Sequence, residues 1–130
     1  MKEKTAADVM TTHVVTATAE TKVTDAIELM LRHHISGLPV VDDDGNLIGI
    51  ITEHDVMNFA LSGEADDTAV SEAMTRDVKF FPPDTDLPTL INCCAGCRIR
   101  RVPIVEGIKL VGIVSRRDIL REMLAMYRRY

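Results

Sequence analysis

The chain has no apolar run approaching the roughly 18 residues that cross a bilayer, and its opening, Met1-Lys2-Glu3-Lys4-Thr5, lacks the hydrophobic segment of a signal peptide. A cytoplasmic protein without membrane contact is expected. Cysteine is scarce: Cys93, Cys94 and Cys97 are odd in number and crowd together, which excludes the paired disulfide framework of a small secreted domain and again favours a reducing compartment. Aromatic residues make up 4% of the chain and the net charge is −5, which argues against a nucleic-acid partner even though Arg98, Arg100 and Arg101 form a basic stretch. A nucleotide phosphate suits that stretch better. No nucleophile with its base, Gly-rich phosphate loop or paired-carboxylate site is present, so an enzyme is not expected. The four histidines, His13, His33, His34 and His54, include no His-Glu-x-x-His spacing, and the adjacent His33 and His34 point to different sides of a helix. No metal site is assigned to them.

What remains is a composition of 46% hydrophobic and 27% charged residues over 130 positions, enough for one ordinary core. Charge is uneven. Residues 98–130 carry nine Lys/Arg against three Asp/Glu, or +6, while residues 1–97 carry six against seventeen, or −11. The C-terminal third is therefore the part that attracts anions.

The chain also repeats itself. Leu38-Pro39-Val40-Val41 is echoed by Val102-Pro103-Ile104-Val105 and Val9-Met10-Thr11 by Ala73-Met74-Thr75, both 64 positions later. Leu47-Ile48-Gly49-Ile50-Ile51-Thr52-Glu53-His54-Asp55 returns as Leu110-Val111-Gly112-Ile113-Val114-Ser115-Arg116-Arg117-Asp118 at an offset of 63. One residue is thus missing from the second copy's turn. The copies span 6–61 and 70–125, with 62–69 as a polar linker.

In the first copy, Val14 to Thr16 is predicted extended. A helix follows from a start near Thr24, its possible cap, with Ala26, Ile27, Met30, Leu31 and Ile35 at helical spacing and Gly37 beyond its end. Two β-branched runs, Leu38 to Val41 and Leu47 to Thr52, flank a hairpin turn at Asp42-Asp43-Asp44-Gly45-Asn46, and a second helix begins near Glu53. The unit is β-α-β-β-α; the second copy repeats it, ending in a helix from Arg116 to Tyr127 with Arg128 and Arg129 at its negative end. Two such units packed together would cover each other's apolar surface.

Each copy carries a hydroxyl residue followed three positions later by Asp at a helix start: Thr52 with Asp55, and Ser115 with Asp118. Two roles fit. As a capping box, the pair satisfies backbone N–H groups at the helix start. As a ligand site, the carboxylate accepts both vicinal hydroxyls of a ribose, the hydroxyl donates to ribose or phosphate oxygen, and the exposed helix N–H groups favour phosphate. Gly49 and Gly112 allow close approach of neighbouring backbone or ligand, or else mark a bulge.

With Met10 and Met74, the Pro39 and Pro103 strands and the two Gly-x-x-Thr/Ser-x-x-Asp segments, residues 6–125 resemble a tandem pair of CBS domains, the arrangement called a Bateman module. The resemblance implies an α/β fold of two repeats packed through their sheets about a pseudo-two-fold axis. It also implies two clefts that take AMP, ADP, ATP or S-adenosylmethionine as regulatory ligands. One cleft would use Asp118, Ser115 and Ile113 with Met10, Val15, Thr16, Ile35, Ser36 and Pro39. The other would use Asp55, Thr52 and Ile50 with Met74, Lys79, Phe80, Ile99, Arg100 and Pro103. Arg100 and Lys79 stand where the first cleft has Ser36 and Val15, favouring a more charged nucleotide at Asp55; Arg116 and Arg117 beside Asp118 pull the other way.

The resulting expectation is a regulatory, energy-sensing protein with no obligatory cofactor, forming a homodimer and acting on a separate protein partner. The chain ends at Tyr130 with no attached catalytic domain, so it is expected to act through binding. Two alternatives are a ligand-free dimerisation or scaffolding module, and a thiol or metal sensor built on Cys93, Cys94 and Cys97. Those cysteines align with Leu29, Met30 and His33, which makes Cys94 a core position. Met30, Met57 and Met123 are likewise expected to fill core.

Overall fold

The computed structural model describes residues 4–61, 67–96 and 100–128. Cys97, Arg98, Ile99, Arg129 and the first part of the expected linker, 62–66, lie outside the described residues. In chain order the elements are α1 (Ala6–Val9), β1 (Ala17–Thr18), α2 (Val23–His33), β2 (Gly37–Val41), β3 (Leu47–Thr52), α3 (Glu53–Ala60), α4 (Val70–Ala73), α5 (Leu87–Gly96), β4 (Arg101–Glu106), β5 (Lys109–Ser115) and α6 (Arg116–Tyr127). The fold is mixed α/β with small sheets, as the alternation of strand and helix periods predicts.

These elements form two units whose limits cut across the repeat. One contains the residues up to Val14 together with those from Lys79 onward; the other runs from Val15 to Val78. The short helix that opens each sequence copy is thus built into the unit that holds the other copy's hairpin.

In the Val15–Val78 unit, β2 pairs antiparallel with β3 and parallel with the short β1. Val14 to Thr16, predicted extended, precede the strand, which forms at Ala17–Thr18, where pairing with Val40 and Val41 becomes possible. Leu38, Val40 and Ile51 alternate onto one face of the sheet and are fully buried with Ala26 and Val70, while Ala17 and Met30 complete the cluster. Helix α2 departs from expectation at both ends. Lys22, not Thr24, is its N-cap residue and lends no side-chain bond; the Val23 N–H is instead taken by the Thr68 carbonyl at 2.9 Å. At the other end His34 adopts the left-handed conformation (φ 53°), with the Ile35 N–H returning to the Met30 carbonyl at 3.0 Å, so Gly37 is free to begin β2. Leu31 and Met57, expected in the core, are exposed, because the buried stripe of α2 runs through Val23, Ala26 and Met30 and α3 buries no residue fully.

In the other unit, β4 and β5 form a hairpin, and in place of a first strand Phe81 alone bridges Ile104 in parallel. Ala6, Leu87, Leu90, Val102, Ile104, Val114 and Ile119 form its core, with Cys93 and Cys94 buried among them and Met123 packed alongside. The missing turn residue has a local consequence. Glu106 pairs with Lys109 across Gly107 (φ 69°) and Ile108, a tight two-residue loop, whereas Asp42 to Asn46 form a longer turn with Gly45 at φ 83°. In that longer turn the Asp42 carboxylate accepts from the backbone of Asn46 (2.9 Å) and Asp44 (3.0 Å), and these bonds hold its carboxyl below the ordinary range.

Candidate functional site

The residues flanking each Thr/Ser-x-x-Asp segment are placed by a close crossing of backbone over glycine. In β3, a side chain on Gly49 would meet the Thr75 carbonyl at 2.8 Å and the Met74 sulfur at 2.9 Å. In β5, one on Gly112 would collide with the Met10 sulfur and approach the Thr11 carbonyl to 3.1 Å. Paired backbone bonds lock both crossings: Ile50 with Thr75 at 2.9 and 2.8 Å, Ile113 with Thr11 at 3.0 and 2.9 Å. Each glycine also lies beside a register shift, between Val40 and Val41 opposite Gly49 and between Ile104 and Val105 opposite Gly112. Both sequence interpretations of these glycines, close approach and bulge, therefore hold.

From these crossings the strands run directly into α3 and α6, where both hydroxyl and carboxylate pairs close as capping boxes. The Asp55 N–H donates to Thr52 Oγ1 at 3.2 Å and the Thr52 N–H to Asp55 Oδ2 at 3.0 Å. The Asp118 N–H donates to Ser115 Oγ at 3.2 Å and the Ser115 N–H to Asp118 Oδ2 at 2.8 Å. Capping alone is no sign of a ligand: Thr5 N–H and Oγ1 bond Asp8 Oδ2 at 2.8 and 3.1 Å beside the four-residue α1, in the same spacing.

The capacity left over after capping distinguishes the two carboxylates. A carboxylate offers about four acceptor positions. Asp55 has three filled, by Thr52 N–H, Thr52 Oγ1 (3.0 Å) and Thr75 Oγ1 (3.0 Å), all from neutral donors. Among the described residues Asp118 has two filled, by Ser115 N–H and by the Arg121 guanidinium at 3.2 Å. Among the described residues the Ser115 hydroxyl proton has no acceptor, while that of Thr52 is spent on Asp55. Asp118 can thus take two further donors, such as a vicinal diol, without rearrangement; Asp55 can do so only if a hydroxyl rotates away.

Three further residues stand at these sites outside the two expected cleft sets, of which Arg101 was expected only as part of a phosphate-attracting basic stretch. Thr75 on Asp55 was flagged only as part of the Ala73-Met74-Thr75 echo. Arg121 lies three positions beyond Asp118 on α6, the spacing at which helical side chains meet. Arg101 is partly buried and pairs in the ladder with Ser115; burial lowers its guanidinium and the nearby Asp118 charge raises it again. The signal for it was available, since Arg101 aligns with Gly37 of the first copy.

The other predicted residues divide between the units. Of the set assigned to Asp118, Met10, Ile113, Ser115 and Asp118 belong together, with Ile113 buried, while Val15, Thr16, Ile35, Ser36 and Pro39 are in the other unit. Of the set assigned to Asp55, Ile50, Thr52, Asp55 and Met74 belong together, whereas Lys79, Phe80, Arg100 and Pro103 are in the unit of Asp118. Lys79 and Phe80 are exposed; Ser36 and Arg100 hold equivalent places, their carbonyls accepting from the Glu53 and Arg116 N–H groups at 2.9 Å. Ile99 lies outside the described residues. Pro39 and Pro103 are fully buried opposite Ile50 and Ile113.

No group of three potential metal ligands occurs among the described residues, and none of their helices is long and apolar enough to cross a membrane. Burial raises the Cys94 thiol above its ordinary value, with Cys93 adding to the shift, so its thiolate is disfavoured.

Two α/β units, each built on a hairpin that enters a capped helix through a glycine crossing, define a tandem-repeat module. Residues 6–62 and 70–125 match the family model of the CBS domain, and the chain belongs to that family, carrying the domain twice. It is 36% identical over 119 residues to an inosine-5'-monophosphate dehydrogenase of Methanocaldococcus jannaschii, covering 91% of this chain but 23% of that enzyme's length. Among solved structures it is similar to CBSX2 of Arabidopsis thaliana in complex with AMP (TM-score 0.86, 27% identity, 95% of this chain and 98% of that one). It is also similar to the CBS domain pair of protein MJ0100 in complex with 5'-methylthioadenosine and S-adenosyl-L-methionine (TM-score 0.83, 27% identity, 96% and 99%).

Proposed function

We propose that the chain is a cytoplasmic regulatory protein that binds an adenosine-containing ligand, of the class AMP, ADP, ATP or S-adenosylmethionine, and acts by binding, without catalysis. Asp118 and Asp55 are the ribose acceptors, Ser115 and Thr52 the hydroxyl donors, and Ile113 and Ile50 the apolar neighbours of the base. The observation that carries this is the acceptor capacity of Asp118 left unfilled among the described residues, beside a Ser115 hydroxyl whose proton has no acceptor among them, at the position where the repeat places the same pair twice. The AMP and S-adenosylmethionine complexes of similar CBS pairs support the ligand class. A ligand that binds one arrangement of the protein more tightly than another shifts their balance, and a protein partner reads that balance as an energy or metabolite signal. Titration calorimetry with AMP tests the assignment: Asp118→Asn, which keeps a cap acceptor but loses the charge, is expected to weaken binding by about tenfold or more. Unchanged affinity in both Asp118→Asn and Asp55→Asn refutes it.

The ligand acts on a homodimer in this reading. Leu120, Leu124 and Tyr127 are exposed at i, i+4 and i+7 of α6, an apolar stripe of the kind that pairs helices. Light scattering of Leu124→Glu is expected to give a monomer; a wild-type chain that is itself monomeric contradicts the dimer.

A further inference from the structure

We propose that Thr75 sets how many ribose hydroxyls the Asp55 site can hold: its own hydroxyl stands in for one of them, so this site takes adenosine derivatives through a single free hydroxyl, whereas the Asp118 site takes the vicinal pair. This rests on the ribose-binding role given to both carboxylates above.

At Asp55 the two carboxylate oxygens are occupied unequally. Oδ2 accepts from the Thr52 N–H and from Thr52 Oγ1, both at 3.0 Å. Neither donor atom is free to withdraw, because the same Thr52 Oγ1 also accepts the Asp55 N–H at 3.2 Å and so closes the capping box. Oδ1 accepts from Thr75 Oγ1 at 3.0 Å. The backbone brings Thr75 there, since its N–H and carbonyl bond Ile50 at 2.8 and 2.9 Å in the crossing over Gly49. Only its side chain can turn away. With about two acceptor directions on each carboxylate oxygen, Oδ2 is full and Oδ1 has one direction left. The Thr75 hydroxyl on Oδ1 is the same kind of donor that a ribose would bring.

The second copy has the same residue under the same backbone lock with a different outcome. Thr11 bonds Ile113 at 3.0 and 2.9 Å in the crossing over Gly112, yet among the described residues its hydroxyl makes no bond to Asp118. There Oδ1 accepts from Arg121 at 3.2 Å and Oδ2 from the Ser115 N–H at 2.8 Å, which leaves one direction on each oxygen. Two adjacent hydroxyls suit that arrangement. The position matching Arg121 in the first copy is Asn58, whose amide lies 3.2 Å from His54 Nε2. The copies have therefore exchanged the partner of Oδ1, Thr75 in one and Arg121 in the other. A second ligand hydroxyl at Asp118 fills an empty position and gains a bond to a charged acceptor. At Asp55 it must replace a hydroxyl already in place, and gains little.

Calorimetric titration of the whole chain with adenosine, 2'-deoxyadenosine and 3'-deoxyadenosine tests this, with Asp118→Asn isolating the Asp55 site and Asp55→Asn isolating the Asp118 site. In Asp118→Asn, at least one deoxynucleoside is expected to bind within about twofold of adenosine. In Asp55→Asn, both should bind about tenfold more weakly than adenosine, the loss of a hydrogen bond to a carboxylate. Adding Thr75→Val to Asp118→Asn opens the second direction on Oδ1, so adenosine should tighten about tenfold and leave both deoxynucleosides behind. Thr75→Ser, which keeps the hydroxyl, should not do this, and Thr11→Val in Asp55→Asn should change no affinity beyond about twofold. Thr75 and Thr11 are exposed, so the variants should fold; Thr75→Ala serves if Thr75→Val does not. A Thr75→Val chain that keeps the original preference among the three nucleosides, or binds adenosine more weakly, overturns the role of Thr75 while leaving ribose binding intact. So does an Asp118→Asn chain that binds no adenosine although the wild type does, since Asp55 is then no acceptor. If the wild type binds no adenosine, the ribose-binding role fails and this proposal fails with it.

Discussion

Adding one carbon at Gly49 or Gly112 should damage the fold in two distinguishable ways. A Cβ on Gly49 would lie 2.8 Å from the Thr75 carbonyl, a backbone atom fixed by paired bonds to Ile50, and 2.9 Å from the Met74 sulfur. A Cβ on Gly112 would collide first with the Met10 sulfur and lie 2.8 Å from Met10 Cγ, while the Thr11 carbonyl is more tolerant at 3.1 Å. Overpacking of this kind costs about 1–3 kcal/mol, equivalent to roughly 3–10 °C in melting temperature for a chain of this size. A methionine side chain can move or be removed, but a bridged backbone cannot. Met10→Ala should therefore relieve most of the Gly112→Ala penalty, with a coupling of about 1–2 kcal/mol, while Met74→Ala should leave most of the Gly49→Ala penalty in place. Urea unfolding of the two double-mutant cycles measures this. Equal rescue at both sites, or a Gly49→Ala chain as stable as the wild type, would refute the argument that these glycines are required by the crossing backbone.

The capping boxes give a second test: Thr52→Ala and Ser115→Ala should each lower stability by about 0.5–2 kcal/mol, read as a shift of the urea midpoint, and no shift in either would deny the boxes an energetic role. A third concerns pH. The folded chain holds the Cys94 proton more tightly than the unfolded chain, whose thiol has the ordinary value near 9.0. Its contribution is complete below that value and is lost as pH rises from it through the raised folded value. Comparing wild type with Cys94→Ala from roughly pH 8 to pH 10, the wild type should lose more stability; identical alkaline losses contradict burial of the thiol.

Much of this fold could be read from the sequence because its elements carry strong local signals. The Gly-x-x-Thr/Ser-x-x-Asp segments place strand, cap and helix within a few residues, and α6 forms over the predicted Arg116–Tyr127. The errors arose where a distant partner took over a local task. Thr24 is not the cap of α2 because the Thr68 carbonyl already accepts the Val23 N–H. Gly37 does not end α2 because His34 takes the left-handed position instead. Leu31 and Met57 fit helical periodicity, but burial depends on which face meets the sheet, and period alone cannot assign that face. At the sites, the aspartates and hydroxyls were visible as motifs, whereas Thr75 on Asp55 is a contact over twenty positions that only the fold creates. The repeat alone records similarity and not which copy a segment packs against, but the family resemblance set Met10 with Asp118 and Met74 with Asp55, and the two units bring those residues together.

The most direct measurement of the central claim is a thermal-shift panel of AMP, ADP, ATP, S-adenosylmethionine and adenosine against the wild type and the Asp55→Asn, Asp118→Asn double variant. Ligand at about a hundred times its dissociation constant should add roughly 2.7 kcal/mol of stability to the wild type and raise its melting temperature by several degrees, with little or no effect on the double variant. A wild type whose melting is unmoved by every member of the panel, or a double variant stabilised as much as the wild type, would contradict the account.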